Sequence, residues 1–421
     1  MEVKWFMSKL IITGKKELTG EVVTSCSKNS SLPIIAASIM GNGTTKILNV
    51  PDISDIKIMI QLLKGMGAKV DYYKDTLSIN SEFINSTKLT QEVSSKIRAS
   101  FLFLGPIIAK YGKGKIYYPG GCSIGIRPIE LHLKGLSSLG AKINKESGFV
   151  EVIADKLVGT RIYLDFPSVG ATENILMAAV LAEGETIIDN AAEEPEITDL
   201  ANFLNKMGAK ISGTGTDSIK ITGVNELKAC SYEPIPDRIE AGTYMVAAAI
   251  TKSKIKIKNI HEYCLKPVSA KLKEMGVKII NEENSMIVDG KNELQCTDIK
   301  TMPFPGFPTD MQAQMMALLS TIKGTSIITE TVFENRFLHI NEFNKMGTNI
   351  SVLGKSAIIQ GVDKIKGCKV TASDLRAGAA LVLMGLCAEG DTEIGEMDHI
   401  ERGYDNLHVK LESLGAQIYK A

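Results

Sequence analysis

Hydrophobic and polar positions along the chain fall into a pattern that returns six times. An amphipathic helical stretch, such as Leu62 to Met66 or Lys271 to Met275, runs into Leu/Met-Gly-Ala or a close variant. An alternating stretch follows, as in Lys69-Val70-Asp71-Tyr72. The glycines are Gly67, Gly140, Gly208, Gly276, Gly347 and Gly415, at steps of 73, 68, 68, 71 and 68 residues. Each therefore reads as a helix closed by a glycine just past its end, then a strand. Self-similarity at a fixed period decides the architecture before any local feature does.

A second series interleaves with the first. Segments rich in Ala, Met and Leu begin near Lys28, Arg98, Ser168, Arg238, Asp310 and Arg376. They are apolar around most of their circumference, which predicts buried helices. A short strand follows each, at 45–48, 115–118, 185–188, 254–257, 326–329 and 392–394. One unit is then strand, buried helix, strand, outer helix, strand, strand, and the fold class is α/β. The sixth unit stops after its first hairpin strand, Ala416 to Tyr419. Lys9-Leu10-Ile11-Ile12-Thr13-Gly14 resembles the missing partner, as seen in Ser218-Ile219-Lys220-Ile221-Thr222-Gly223. The expected domains are 28–235 and, completed by the N-terminal strands, 1–27 with 236–421. Two linkers join them, near Ser25-Cys26-Ser27 and Glu233-Pro234-Ile235-Pro236, where the prolines favour extended chain. A double linker makes a hinge, with a ligand cleft between the halves.

Composition narrows the function. A net charge of +0 argues against broad nucleic-acid affinity, which needs a basic footprint. No apolar run approaches the roughly 20 residues of a membrane helix. No signal peptide is visible at Met1 to Leu10. The cysteines, at 26, 122, 230, 264, 296, 368 and 387, are odd in number and dispersed. That suggests free thiols in a reducing compartment, hence the cytoplasm.

Three constellations carry candidate chemistry. In Tyr118-Pro119-Gly120-Gly121-Cys122-Ser123-Ile124-Gly125-Ile126-Arg127-Pro128, glycines and prolines bracket one cysteine. It is either a flexible loop with an incidental thiol or a mobile loop whose Arg127 favours the thiolate. Next, Lys28, Arg98 and Arg238 stand at helix starts, where anions are normally favoured. Arg376 follows Asp374, and Arg127 and Arg402 lie in glycine-containing loops. Any one of these fits an ordinary salt bridge; as a set in register they fit an anionic ligand with several phosphates. Third, Asp310 occupies a helix-start slot, as a cap or as a general base facing a cleft. Asp374 is similar. Gly213-Thr214-Gly215 reads as a hairpin turn, the His261 to Cys264 segment offers no metal spacing, and His132 on its helix is a weak signal.

Several long segments carry a resemblance. Ser27-Lys28-Asn29, Pro119 to Pro128, Pro167 to Thr172, Phe307 to Gln314, Glu330 to Phe337, Ser373 to Ala377 and Arg402-Gly403-Tyr404 resemble the UDP-N-acetylglucosamine 1-carboxyvinyltransferase family, among the enolpyruvyl transferases. The likeness spans nearly the whole chain from Lys9. It implies two inverse α/β prism domains of three repeats each. It implies transfer of enolpyruvyl from phosphoenolpyruvate to the 3′-hydroxyl of UDP-N-acetylglucosamine, by addition and elimination, without metal or cofactor. Further implications are the first committed step of peptidoglycan precursor synthesis and inactivation by fosfomycin. By the same resemblance Cys122 is the general acid and Asp310 the base for the sugar hydroxyl. Lys28, Arg127 and Arg402 clamp phosphate and carboxylate. Arg98, Arg127, Pro128, Ile129, Glu130, Leu131, Ser168, Val169 and Gly170 hold the nucleotide, with Asp310 and Val332 on the sugar. Asn29, Arg336, Asp374 and Arg376 complete the cleft.

The chain departs from the family in carrying Phe166-Pro167 where some members place a Lys. Met1 to Phe6 also precede the usual start, which leaves Met7 as an alternative initiator. Two rivals remain: an enolpyruvylshikimate-phosphate synthase, and a catalytically idle paralogue that binds the nucleotide sugar.

Overall fold

The computed structural model describes residues 9–118 and 128–421. All six repeat glycines have positive φ, between 92° and 112°. At Gly67, the Gly67 N–H donates to Lys64 O and the Ala68 N–H to Leu63 O, both at 3.0 Å. The same pair of bonds closes the outer helices ahead of Gly140, Gly208, Gly276, Gly347 and Gly415. This is the Schellman arrangement, which satisfies the last carbonyls and turns the chain into a strand.

The buried helices are Lys28–Ala37, Val169–Ala179, Arg238–Ile250 and Leu375–Cys387. The other two begin tightly: 3-10 turns Arg98–Phe103 and Thr309–Met311 lead into Leu104–Tyr111 and Gln312–Leu319. In Lys28–Ala37 every residue but Asn29 is buried. The sequence places uniform helix starts at Arg98 and Asp310; the structure gives 3-10 turns there.

Five four-stranded sheets share one order: leading strand, strand after the buried helix, second hairpin strand, first hairpin strand. In one, Arg161–Tyr163 pairs parallel with Glu185–Asp189, which pairs antiparallel with Ser218–Thr222, itself antiparallel to Lys210–Ser212. A three-stranded sheet of Lys113–Tyr117, Phe149–Ile153 and Lys142–Glu146 completes the set. Its leading position is filled by a single bridge, Lys88 to Lys115. Leu10–Thr13 lies between Asp391–Gly395 and Gln417–Lys420, antiparallel to both.

Two leading strands are exchanged. Glu21–Val23 precedes the Lys28 helix but pairs with Lys254–Lys258. Ser231–Tyr232 precedes the Arg238 helix but pairs with Thr44–Ile47. The chain therefore forms two compact units, described residues 9–25 with 236–421, and 26–118 with 128–235. Each has its own hydrophobic core and three buried helices; the first holds three sheets, and the second holds three plus a short parallel pairing of Leu227–Lys228 with Gly41–Asn42. This is an α/β architecture of inverse prisms.

Candidate active site

In the unit containing residues 236–421, three buried helices start near one another, and the Thr309–Met311 turn carries Asp310. Its side chain does not cap that helix. Asp310 Oδ1 accepts from Arg336 Nη2 at 2.8 Å, and Oδ2 accepts from Arg376 Nη2 at 2.9 Å and Nε at 3.2 Å. The arginine side chains are 6% and 3% exposed, the aspartate 26%. Burial works against ionisation of Asp310, but Arg376 and Arg336 outweigh it and hold the carboxyl well below the usual range. Arg376 Nη1 is buried with no hydrogen-bond partner among the described residues.

The surroundings hold this cluster in place. Asp374 caps the Leu375–Cys387 helix, accepting from the Arg376 and Ala377 N–H groups at 2.9 and 3.0 Å. Gln314 Nε2 donates to Asp310 O at 3.0 Å, and Gln312 Nε2 to Arg336 O at 3.1 Å. Tyr404 OH meets Thr243 Oγ1 at 2.9 Å, and the Tyr404 ring lies under the Arg376 guanidinium. Arg336 Nη1 donates to Thr309 Oγ1 at 2.9 Å, which in turn donates to Glu330 Oε2 at 2.9 Å. Glu330 Oε1 accepts from Thr301 Oγ1 and the Val332 N–H, both at 2.8 Å, and from the Phe333 N–H at 3.1 Å. Burial pushes His339 down to about 4, with Asp374 opposing and Arg336 adding to the shift.

In the unit containing residues 26–235, Lys28 opens its helix behind the Ser27 cap and pairs with Asp55 at 2.6 Å. Arg98 opens the next turn, and Ser168 caps the third helix, accepting from Ala171 N. The ring of His132 lies against Gly170. Asn174 orients it: Oδ1 accepts from the Gly105 N–H, so Nδ2 faces Phe101 O and His132 Nδ1, the latter at 2.8 Å. Nδ1 is then the acceptor and the neutral ring carries its proton on Nε2. Burial, reinforced by Arg98, pushes this histidine down to about 3.

The sequence-derived residues thus divide between the units. Lys28, Asn29, Arg98, Pro128, Ile129, Glu130, Leu131, Ser168, Val169 and Gly170 belong to one, and Asp310, Val332, Arg336, Asp374, Arg376 and Arg402 to the other. Cys122 and Arg127 lie outside the described residues. Sequence reasoning missed Asp55, Thr301, Thr309 and Glu330 as polar partners, and discounted His132. Among the described residues no group of three or more His, Cys, Asp and Glu side chains is placed to hold a metal ion. No helix among them is long and apolar enough to cross a membrane.

Known proteins resemble the chain along its whole length. The sequence model of the family described as EPSP synthase (3-phosphoshikimate 1-carboxyvinyltransferase) matches residues 12–411. A Clostridium tetani protein named UDP-N-acetylglucosamine 1-carboxyvinyltransferase 2 is 57% identical over 416 residues, covering 98% of this chain and 100% of its own. A Clostridium acetobutylicum protein named UDP-N-acetylglucosamine 1-carboxyvinyltransferase 1 is 55% identical over 414 residues, covering 98% and 99%. Among solved structures, the enolpyruvyl transferase NikO from Streptomyces tendae aligns with a TM-score of 0.88 at 24% identity, over 98% of this chain and 99% of that one. EPSP synthase from Acinetobacter baumannii aligns at 0.77 and 19%, with the same coverage. The two structures share the fold, and the near-full-length identity to the curated relatives is far higher, so the chain belongs to the UDP-N-acetylglucosamine 1-carboxyvinyltransferase family of enolpyruvyl transferases.

Proposed function

We propose that this chain transfers the enolpyruvyl group of phosphoenolpyruvate to the 3′-hydroxyl of UDP-N-acetylglucosamine and releases phosphate. It does so in the cytoplasm, at the first committed step of peptidoglycan precursor synthesis. The observation that carries the reading is Asp310, a carboxylate gripped by two buried arginines at a helix start, in a chain 57% identical to a protein named for this activity.

The reaction runs in two stages. The sugar oxygen adds to C2 of phosphoenolpyruvate while Cys122 gives a proton to the methylene carbon. Asp310 takes the hydroxyl proton. A tetrahedral ketal results; loss of a methyl proton and cleavage of the C–O bond to phosphate then form the product. Asp310 is ionised throughout the working range, but its basicity is spent on Arg336 and Arg376. The sugar hydroxyl must therefore displace one guanidinium to be deprotonated, and Arg376 Nη1 is then available to an oxyanion. Lys28, Arg127 and Arg402 clamp the donor's phosphate and carboxylate. Arg98, residues 127–131 and Ser168 to Gly170 hold the nucleotide, Val332 meets the sugar, and Asn29, Asp374 and Arg376 complete the site. The two halves, 28–235 and 1–27 with 236–421, act as the two domains.

Phosphate release tests this. Phosphoenolpyruvate with UDP-N-acetylglucosamine should yield phosphate and the enolpyruvyl sugar nucleotide in equal amounts, and shikimate 3-phosphate should yield none. Fosfomycin, a small phosphonate epoxide, should add irreversibly to Cys122 alone, and Cys122→Ser should lose both labelling and most turnover. Phosphate release only with shikimate 3-phosphate, or nucleotide-sugar binding with no release, would overturn the proposal.

A further inference from the structure

Glu330 is 1% exposed, and its carboxylate is fully used. One oxygen gathers the Thr301 hydroxyl and the backbone N–H groups of Val332 and Phe333. The other receives Thr309 Oγ1, whose lone pair accepts from Arg336 Nη1. Thr309 has one hydrogen and gives it to Glu330, so the direction of the chain is set: Arg336 to Thr309 to Glu330. Arg336 reaches Asp310 with its other terminal nitrogen. Asp310 therefore meets one end of the guanidinium directly, and Glu330 lies one hydroxyl beyond the other. Charge-assisted bonds of this kind are shorter and about twice as strong as neutral ones. The same carboxylate ties together three separate stretches, at Thr301, at Thr309–Asp310 and at Val332–Phe333. Thr331 strengthens the tie, its N–H donating to Thr301 Oγ1 at 3.0 Å.

We propose that Glu330 is a positioning residue for the transfer: it locks the Thr309–Asp310 turn to the Val332–Phe333 loop and, acting through Thr309, aligns Arg336 on Asp310. This rests on the proposed function, because Asp310 is the base and Val332 the sugar contact in that reading. Glu330 touches no reacting atom. Its carboxylate lies one hydroxyl away from Arg336, which also acts on His339, while Arg376 faces Tyr404 and Asp237. Removing it leaves the cations around Asp310 in excess and frees the Thr309 hydroxyl to turn away.

A double-mutant cycle separates this role from a merely structural one. Glu330→Gln keeps the shape and Thr309→Val keeps the volume. Each should lower kcat about tenfold, retain UDP-N-acetylglucosamine binding as read by calorimetry, and unfold near the wild-type temperature. If Glu330 works through Thr309, the double variant is no slower than the slower single variant. Losses that multiply to about a hundredfold would overturn the proposal. So would a wild-type kcat in Glu330→Gln, or a loss that only follows the fraction unfolded. A wild-type chain that turns over beside an unaffected Glu330→Gln sinks this inference alone; a wild-type chain that releases no phosphate sinks the proposed function and this inference with it.

Discussion

Glu173, in the Val169–Ala179 helix, is 4% exposed. Burial raises its carboxyl well above the usual range, and Glu196 and Glu194 push in the same direction. The consequence for stability has a definite sign. Between the ordinary carboxylate range and the raised value, the unfolded chain has lost the proton and the folded chain keeps it. The folded state then binds more protons, so stability falls as pH rises through that window. Glu173→Gln removes this titration. Its melting temperature should match the wild type below the ordinary carboxylate range and exceed it at higher pH. Each kcal/mol recovered is about 2–4 °C in a protein half of this size. Scanning calorimetry between pH 4 and 9 checks this, and parallel curves for the two proteins would refute it. His132 has the opposite sign: it is held neutral by burial, and its contribution fades as pH falls below the ordinary histidine range toward about 3.

The element scale is where the sequence is most legible. Gly208 illustrates why: it sits at φ +112° with nothing within 4 Å of where a Cβ would stand. Only the backbone angle demands glycine there, and a C′ glycine is readable from local pattern alone. Gly223 is different. A Cβ there would lie 1.6 Å from Ala182 O, across a close approach that no local pattern announces. Gly208→Ala should cost about 1–2 kcal/mol of left-handed strain, and Gly223→Ala about 3 kcal/mol or more from collision with fixed backbone. Urea midpoints of the two variants test the ranking; equal midpoints would contradict it. What the sequence leaves dark has a common cause. The strands at 227–228, 231–232 and 299–300 are two residues long, and tertiary context alone decides their pairing. The exchange of 21–23 with 231–232 between the halves is invisible for the same reason. In the site, helix-start cations break a local electrostatic rule and so stand out. Thr301, Thr309, Glu330 and Asp55 break none, and matter only because folding brings them to Arg336 and Lys28.

At the scale of the whole molecule, the first and last strands among the described residues lie side by side in one sheet. Lys9 and Ala421 exchange backbone hydrogen bonds at 2.9 and 2.8 Å, and residues 10–13 separate the strands at 391–395 and 417–420. Leu10 and Ile12 point inward, 1% and 0% exposed, and Ile12 packs where Gly385 leaves room on the Leu375–Cys387 helix. These residues belong to the core of the unit containing 236–421, and the other core contains none of them. A defect at Ile12 should therefore be felt in one unit only. Ile12→Ala removes buried methyl and methylene groups beside a tightly packed helix, which costs about 2–5 kcal/mol. Deleting residues 1–13 should do more, because it leaves two strands with unpaired edges facing one another across a gap. Hydrogen exchange resolved along the chain reads both effects. Protection should fall across 236–421, first at 391–395 and 417–420, while 26–118 and 128–235 keep theirs. Protection lost equally in both units would show that the two cores unfold as one, and loss confined to 26–235 would contradict the pairing of the first strand with the last.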